Sequence, residues 1–78
     1  MPTVLRNGPY RFFFYSADGS EPPHVHVQRD DLVAKFWLQP VRLDDSGGFA
    51  RVEIRRLQAM VEDEVETLLG FWDEFFAN

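Results

Sequence analysis

His24-Val25-His26-Val27-Gln28-Arg29, then Asp30-Asp31, then Leu32-Val33-Ala34-Lys35-Phe36-Trp37-Leu38-Gln39 is the stretch that decides the fold. Both runs are rich in β-branched and aromatic residues, and the two aspartates between them make a tight turn. Side chains on a strand alternate between faces. Val25, Val27, Ala34, Phe36 and Leu38 therefore share one apolar face, and His24, His26, Gln28, Val33, Lys35 and Trp37 share the other.

Working outward, Tyr10 to Ala17 reads as an aromatic strand that adds Tyr10, Phe12 and Phe14 to the apolar face and Arg11, Phe13 and Tyr15 to the mixed one. Val4 to Asn7 reads as a short strand closed by the Asn7-Gly8-Pro9 turn signal. Asp18-Gly19-Ser20-Glu21-Pro22-Pro23 is a loop, because prolines donate no ladder hydrogen bond. Pro40 interrupts the run after Gln39. Val41-Arg42-Leu43 is a last extended piece, and Asp44-Asp45-Ser46-Gly47-Gly48 is a second loop leading flexibly into a helix.

From about Ala50 the period changes. Ile54, Leu57, Val61, Val65, Leu68, Trp72 and Phe75 recur at steps of three and four, as on one helical face. A single helix of about 27 residues would span about 40 Å, long for a small domain. A break near Asp63 is expected, which places Glu62-Asp63-Glu64 at the start of a second helix, where negative charge is favourable. Arg51, Arg55 and Arg56 at the start of the first helix have no such rationale and suggest a surface role. Four aromatics in six residues (Phe71, Trp72, Phe75 and Phe76) exceed one helix face, so one or two are expected at the surface. The expected architecture is α+β: one domain over residues 1–78, a small antiparallel sheet of three to five strands, then one long or two consecutive C-terminal helices packed on one sheet face.

A chain of 78 residues buries only about 60% of its unfolded surface, and its aromatic side chains compensate by burying more area each. There is no cysteine, which excludes disulfides, thiolate metal sites and a Cys nucleophile. No apolar run of about 18 residues exists, so no membrane span is expected. Met1-Pro2-Thr3-Val4-Leu5-Arg6 lacks the apolar core of a secretory signal. The expected location is the cytoplasm. The net charge is −5, and every basic residue lies at or before Arg56, with Glu62, Asp63, Glu64, Glu66, Asp73 and Glu74 beyond it. That balance disfavours indiscriminate nucleic-acid binding.

The chemistry-bearing residues lie on the mixed face. His24 and His26 are the candidate catalytic residues, and Arg11, Tyr15, Lys35 and Trp37 the candidate binding residues. In a ribonuclease reading, one imidazole takes the 2′-hydroxyl proton and the other protonates the leaving oxygen. Arg11 or Lys35 then stabilises the phosphorane and Tyr15 and Trp37 stack on bases. In a metal reading, His24 and His26 supply two ligands with Glu21 as a third, or a dimer supplies four histidines. In a structural reading, the histidines hydrogen-bond a backbone carbonyl or pack on an aromatic ring. No cofactor is expected, since Gly47-Gly48 is not followed by the Gly-Lys-Ser/Thr of a phosphate loop.

Pro2-Thr3-Val4-Leu5-Arg6, Tyr10-Arg11-Phe12-Phe13-Phe14-Tyr15-Ser16, Glu21-Pro22-Pro23-His24-Val25-His26-Val27, Ala34-Lys35-Phe36-Trp37-Leu38 and Phe71-Trp72-Asp73-Glu74-Phe75-Phe76 resemble the domain-of-unknown-function 4160 family of small, mainly bacterial proteins. The resemblance implies a gene beside that of a second small protein, similar to a type II toxin–antitoxin pair. It carries over no catalytic residue. The expected function is a protein-interaction module with a small protein partner, with a homo-oligomer, a ribonuclease and a metal-binding protein as the other readings. Enzymatic activity is left open.

Overall fold

In the computed structural model, which describes residues 3–77, five strands pair antiparallel in the order they occur in the chain. They are β1 (Thr3–Asn7), β2 (Tyr10–Phe13), β3 (His24–Arg29), β4 (Leu32–Leu38) and β5 (Val41–Asp45). Two helices follow, α1 (Arg51–Asp63) and α2 (Val65–Phe76). The expected α+β arrangement is what forms. The reading of Met1 and Pro2 as part of a chain start without a leader lies outside the described residues. Among those described, no helix is long and apolar enough to cross a membrane.

The alternation read from the sequence sets the register. Val25 faces Phe36 and Val27 faces Ala34 across β3 and β4, while His24 faces Trp37 and His26 faces Lys35 on the other side of the sheet. Phe12, Phe14, Val25, Val27, Ala34 and Phe36 are fully buried on the inner face. There they meet Ile54, Leu57 and Val61 of α1 and Leu68 and Trp72 of α2. Each such large apolar side chain contributes about 1.5–3 kcal/mol relative to exposure. The cluster fills the space between the sheet and the helix layer.

Three boundaries differ from expectation. β5 runs on through Asp44 and Asp45, expected as the start of the second loop. β2 stops at Phe13 rather than running to Ala17. The Asp18 carboxylate accepts the Tyr15 N–H at 2.9 Å, and the Asp18 N–H donates to the Tyr15 carbonyl at 3.0 Å. Those two bonds draw the chain out of the ladder into a 3-10 turn over Ser16–Ser20. The helix does break, but at Glu64, so Glu62 and Asp63 occupy the last turn of α1 instead of the first of α2. One uninterrupted helix would run about 39 Å, longer than the 37 Å long axis of the molecule. Phe75, 40% exposed, is the expected surface aromatic, while Trp72 is core.

The glycine pair after β5 is tighter than a flexible lead-in. Gly47 has φ near +60° and donates its N–H to Asp45 Oδ1 at 2.9 Å. Its Cα lies against the Val33 carbonyl, so that a Cβ there would enter the Val33 backbone.

The far end of β3 is tied to α1 by charge. Arg29 donates Nε and Nη2 to the two Glu53 oxygens at 2.6 and 2.8 Å, and the Tyr10 hydroxyl donates to Oε2 at 2.7 Å. These donors, Arg29 first, hold the Glu53 carboxyl at about 2, below its ordinary 4.5. A folded-state value depressed in this way stabilises the protein above the unfolded value and loses that contribution as pH falls through the folded one. Acid titration followed by circular dichroism is expected to show stability falling from about pH 4.5 towards pH 2. Glu53→Gln should be less stable at neutral pH and flatter across that window; an unchanged acid limb would refute the assignment.

Candidate functional site: an Asp18–His24–His26 cluster

The early end of β2 brings chemistry back over the mixed face. The Ser16–Ser20 turn folds across the start of β3 and sets Asp18 beside both histidines. Asp18 Oδ2 lies 3.1 Å from His24 Nε2 and 3.1 Å from His26 Nε2. One ligand atom from each of the three residues can be chosen so that all lie within 4.8 Å of one another. His24 is fully enclosed, whereas His26 and Asp18 keep 12% and 14% of their side chains exposed. The cluster is therefore closed on the His24 side and opens past His26 and Asp18.

The hydrogen bonds fix the rings. A carbonyl only accepts, so His24 donates its Nδ1–H to the Pro22 carbonyl at 2.9 Å. This bond makes Nε2 the free nitrogen of the neutral ring. That atom is buried and finds no hydrogen-bond partner, although Asp18 Oδ2 is close, because the geometry is not that of a hydrogen bond. His26 Nε2–H donates to the same Asp18 oxygen. Burial lowers the His26 pKa below its ordinary value, and the Asp18 charge offsets this only in part. Burial raises Asp18, but the Tyr15 N–H and the two imidazoles outweigh it and leave the carboxyl below its ordinary range.

Aromatic rings build the walls. His24 packs edge-on to Trp37 at 5.5 Å and against Trp72 at 5.2 Å between centroids. His26 stacks on Phe13 at 5.3 Å and meets Tyr15 at 4.6 Å. The mixed face is thus only partly open: Phe13 and His24 are buried beneath the turn and its flanks. Of the expected site residues, His24, His26, Tyr15 and Trp37 come together. Lys35 borders them, its ammonium 4.5 Å from the Trp37 ring and 2.9 Å from Glu21 Oε1. Arg11 is turned away, bonded to Gln28 and Thr3 and lying over Phe13.

The carboxylate nearest the two imidazoles is not the one the sequence pointed to. Glu21 is 3.9 Å from His24 Nδ1, a nitrogen already used by Pro22, and its carboxylate is engaged by Lys35. Asp18, not Glu21, stands 3.1 Å from both imidazoles. Its signal in the sequence was slight: one carboxylate in a Gly-Ser-Pro loop, brought back only by the turn it caps. Comparison with curated proteins and with solved structures finds no match. Residues 10–73 do match the family model described as domain of unknown function (DUF4160), and the chain belongs to that family.

Proposed function

We propose that this protein binds a divalent transition-metal ion of the zinc class through Asp18, His24 and His26. The observation that carries the reading is the enclosed His24 Nε2, without a hydrogen-bond partner and 3.1 Å from a carboxylate oxygen. A buried imidazole nitrogen without a partner is costly, and a cation bound by both this nitrogen and the neighbouring carboxylate would satisfy the two. Zinc bond lengths of about 2.0–2.1 Å set tetrahedral ligand atoms about 3.3 Å apart, close to both nitrogen–oxygen separations here. The Nδ1–H to Pro22 bond is the outer-shell contact that orients a metal-binding imidazole. His26 would need only to carry its proton on Nδ1. Three protein ligands leave a coordination position on the partly exposed side, as in sites that admit a further ligand. In a domain this small the ion would also tie the Ser16–Ser20 turn to β3 and add its binding energy to the fold.

The full enclosure of His24 weighs against the two-histidine ribonuclease, because an imidazole without solvent access does not reach an RNA leaving oxygen. The interaction-module reading, including a toxin–antitoxin-like pairing, draws support from a separate groove of about 420 Å³ framed by Pro22, Pro23, Trp37, Pro40 and Arg42. It is compatible with a bound metal.

Titration of the chelator-treated protein with Zn²⁺ tests the proposal. At a free concentration one hundred times Kd, stability should rise by about 2.7 kcal/mol, or about 10–20 °C in Tm for a domain of this size. Co²⁺ should give visible absorption bands. Asp18→Asn and His24→Ala should each weaken binding at least about a hundredfold. Absence of both the Tm shift and the Co²⁺ bands would end the metal reading.

A further inference from the structure

The charges on α1 run against its own dipole. Arg51, Arg55 and Arg56 stand at the amino end, where positive charge is unfavourable, and Glu62 and Asp63 at the carboxyl end, where negative charge is. No burial explains the order. Ile54, Leu57 and Val61 form the buried face, while Val52, Arg55, Arg56, Ala59, Glu62 and Asp63 are all exposed on the opposite one. Their spacing of three, one, three, three and one residues makes a continuous stripe along the helix. Val52 is 65% exposed, an apolar side chain left in water at the head of that stripe. Among the described residues, no ion pair involves Arg51, Arg55, Arg56, Glu62 or Asp63. Arg56 feels Glu53 only at a distance, and Glu62 is reached only by Gln58 at 3.5 Å.

We infer that this stripe is the contact surface for a second copy of the chain, α1 lying antiparallel on α1 about a two-fold axis at Ala59. The sequence is self-complementary in that register. With Ala59 opposite Ala59, residue numbers across the contact sum to a constant, so Arg55 faces Asp63 and Arg56 faces Glu62, each twice by symmetry. Such an isologous contact closes on itself as a dimer. The small Ala59 lets the helices approach to the 8–10 Å or so of packed pairs. Each copy's arginines then lie beside the other's carbonyl end and each copy's carboxylates beside the other's amide end. The order that is wrong for one helix becomes right for two. Because rim ion pairs are weak and screened, the dimer should be salt-sensitive. A polyanion is a poorer occupant, since two of the four charged residues of the stripe are acidic.

Sedimentation equilibrium on the whole protein tests this. The dimer should weaken on going from about 50 mM to about 500 mM salt. Arg55→Glu with Arg56→Glu, and separately Glu62→Arg with Asp63→Arg, should each give a folded monomer, since all four positions are exposed. Mixed one to one, the two variants should associate as a heterodimer, because each then presents what the other requires. A monomeric wild type at low salt, dimers of either variant alone, a mixture that stays monomeric, or open-ended assemblies in place of a dimer would each overturn the inference. None of these readouts depends on metal.

Discussion

Gly47→Ala is expected to lower stability by about 4 kcal/mol or more, among the largest effects a single substitution produces. For a domain of 78 residues, about 0.05–0.15 kcal/mol per residue gives a total of about 4–12 kcal/mol, so the loss removes from about a third to all of it. Two causes add. The backbone there sits at φ near +60°, which costs a residue with a Cβ about 1–2 kcal/mol. The new methyl would also fall inside the Val33 carbonyl, a backbone group near the start of β4, where Val33 is paired with Gln28 of β3 and cannot swing aside. Gly8 is the control. It has nearly the same positive φ of 59°, yet nothing lies within 4 Å of its missing Cβ, so Gly8→Ala should show only the conformational part. Thermal denaturation of both variants decides the matter: equal losses at Gly8 and Gly47 would mean the close approach to β4 counts for nothing.

Trp72→Ala should cost about 3–5 kcal/mol, the range for deleting a large aromatic from a core. Trp72 is 7% exposed and holds Phe14 at 5.2 Å, Phe76 at 4.2 Å and His24 at 5.2 Å between ring centroids. It touches both the core and the cluster. Its loss should therefore reach the proposed metal site as well, with Zn²⁺ affinity falling at least about tenfold as the His24 ring loses a wall. Leu68→Ala separates the two effects. Leu68 is fully buried on the same helix, so its removal should destabilise by about 2–5 kcal/mol while leaving the affinity of the folded fraction near that of the wild type. Equal losses of affinity in the two variants would show that general loosening, and not the Trp72 wall, governs His24.

What the sequence made legible follows from which forces are local. Alternation along β3 and β4 sorted Val25, Val27, Phe36 and Leu38 from His24, His26, Lys35 and Trp37, because a pleated strand leaves each side chain one choice of face. The helical stripe from Ile54 to Trp72 was equally plain. The end of β2 was not. Phe14 and Tyr15 look like more of the same strand, and what stops them is a carboxylate three residues beyond Tyr15. The place of Asp18 in the cluster was hidden for the same reason. His24 and His26 declare themselves by spacing, but Asp18 joins them only through a turn whose formation depends on Asp18 itself. Nor did the break at Glu64 carry a glycine or proline. Its apolar positions keep helical phase straight through, and only the length of a single helix and the order of charges along it argued for a bend.

Because every strand pairs with its immediate successor in the chain, the protein has an unusual order of assembly during synthesis. All five strands, and all three residues of the cluster, leave the ribosome before either helix. Each hairpin can close as soon as its second strand emerges, since the loops to be closed are short. The Asp18, His24 and His26 constellation can thus form on a nascent chain that still lacks Trp72. Until α1 and α2 arrive, Phe12, Val25, Val27 and Phe36 face water as one continuous apolar sheet. Synthesis of the helical segment from Arg51 to Phe76 is therefore an interval of aggregation hazard. An ion captured early would act in that interval as a clamp on the growing chain, holding the β2–β3 connection in place before the core exists to do so.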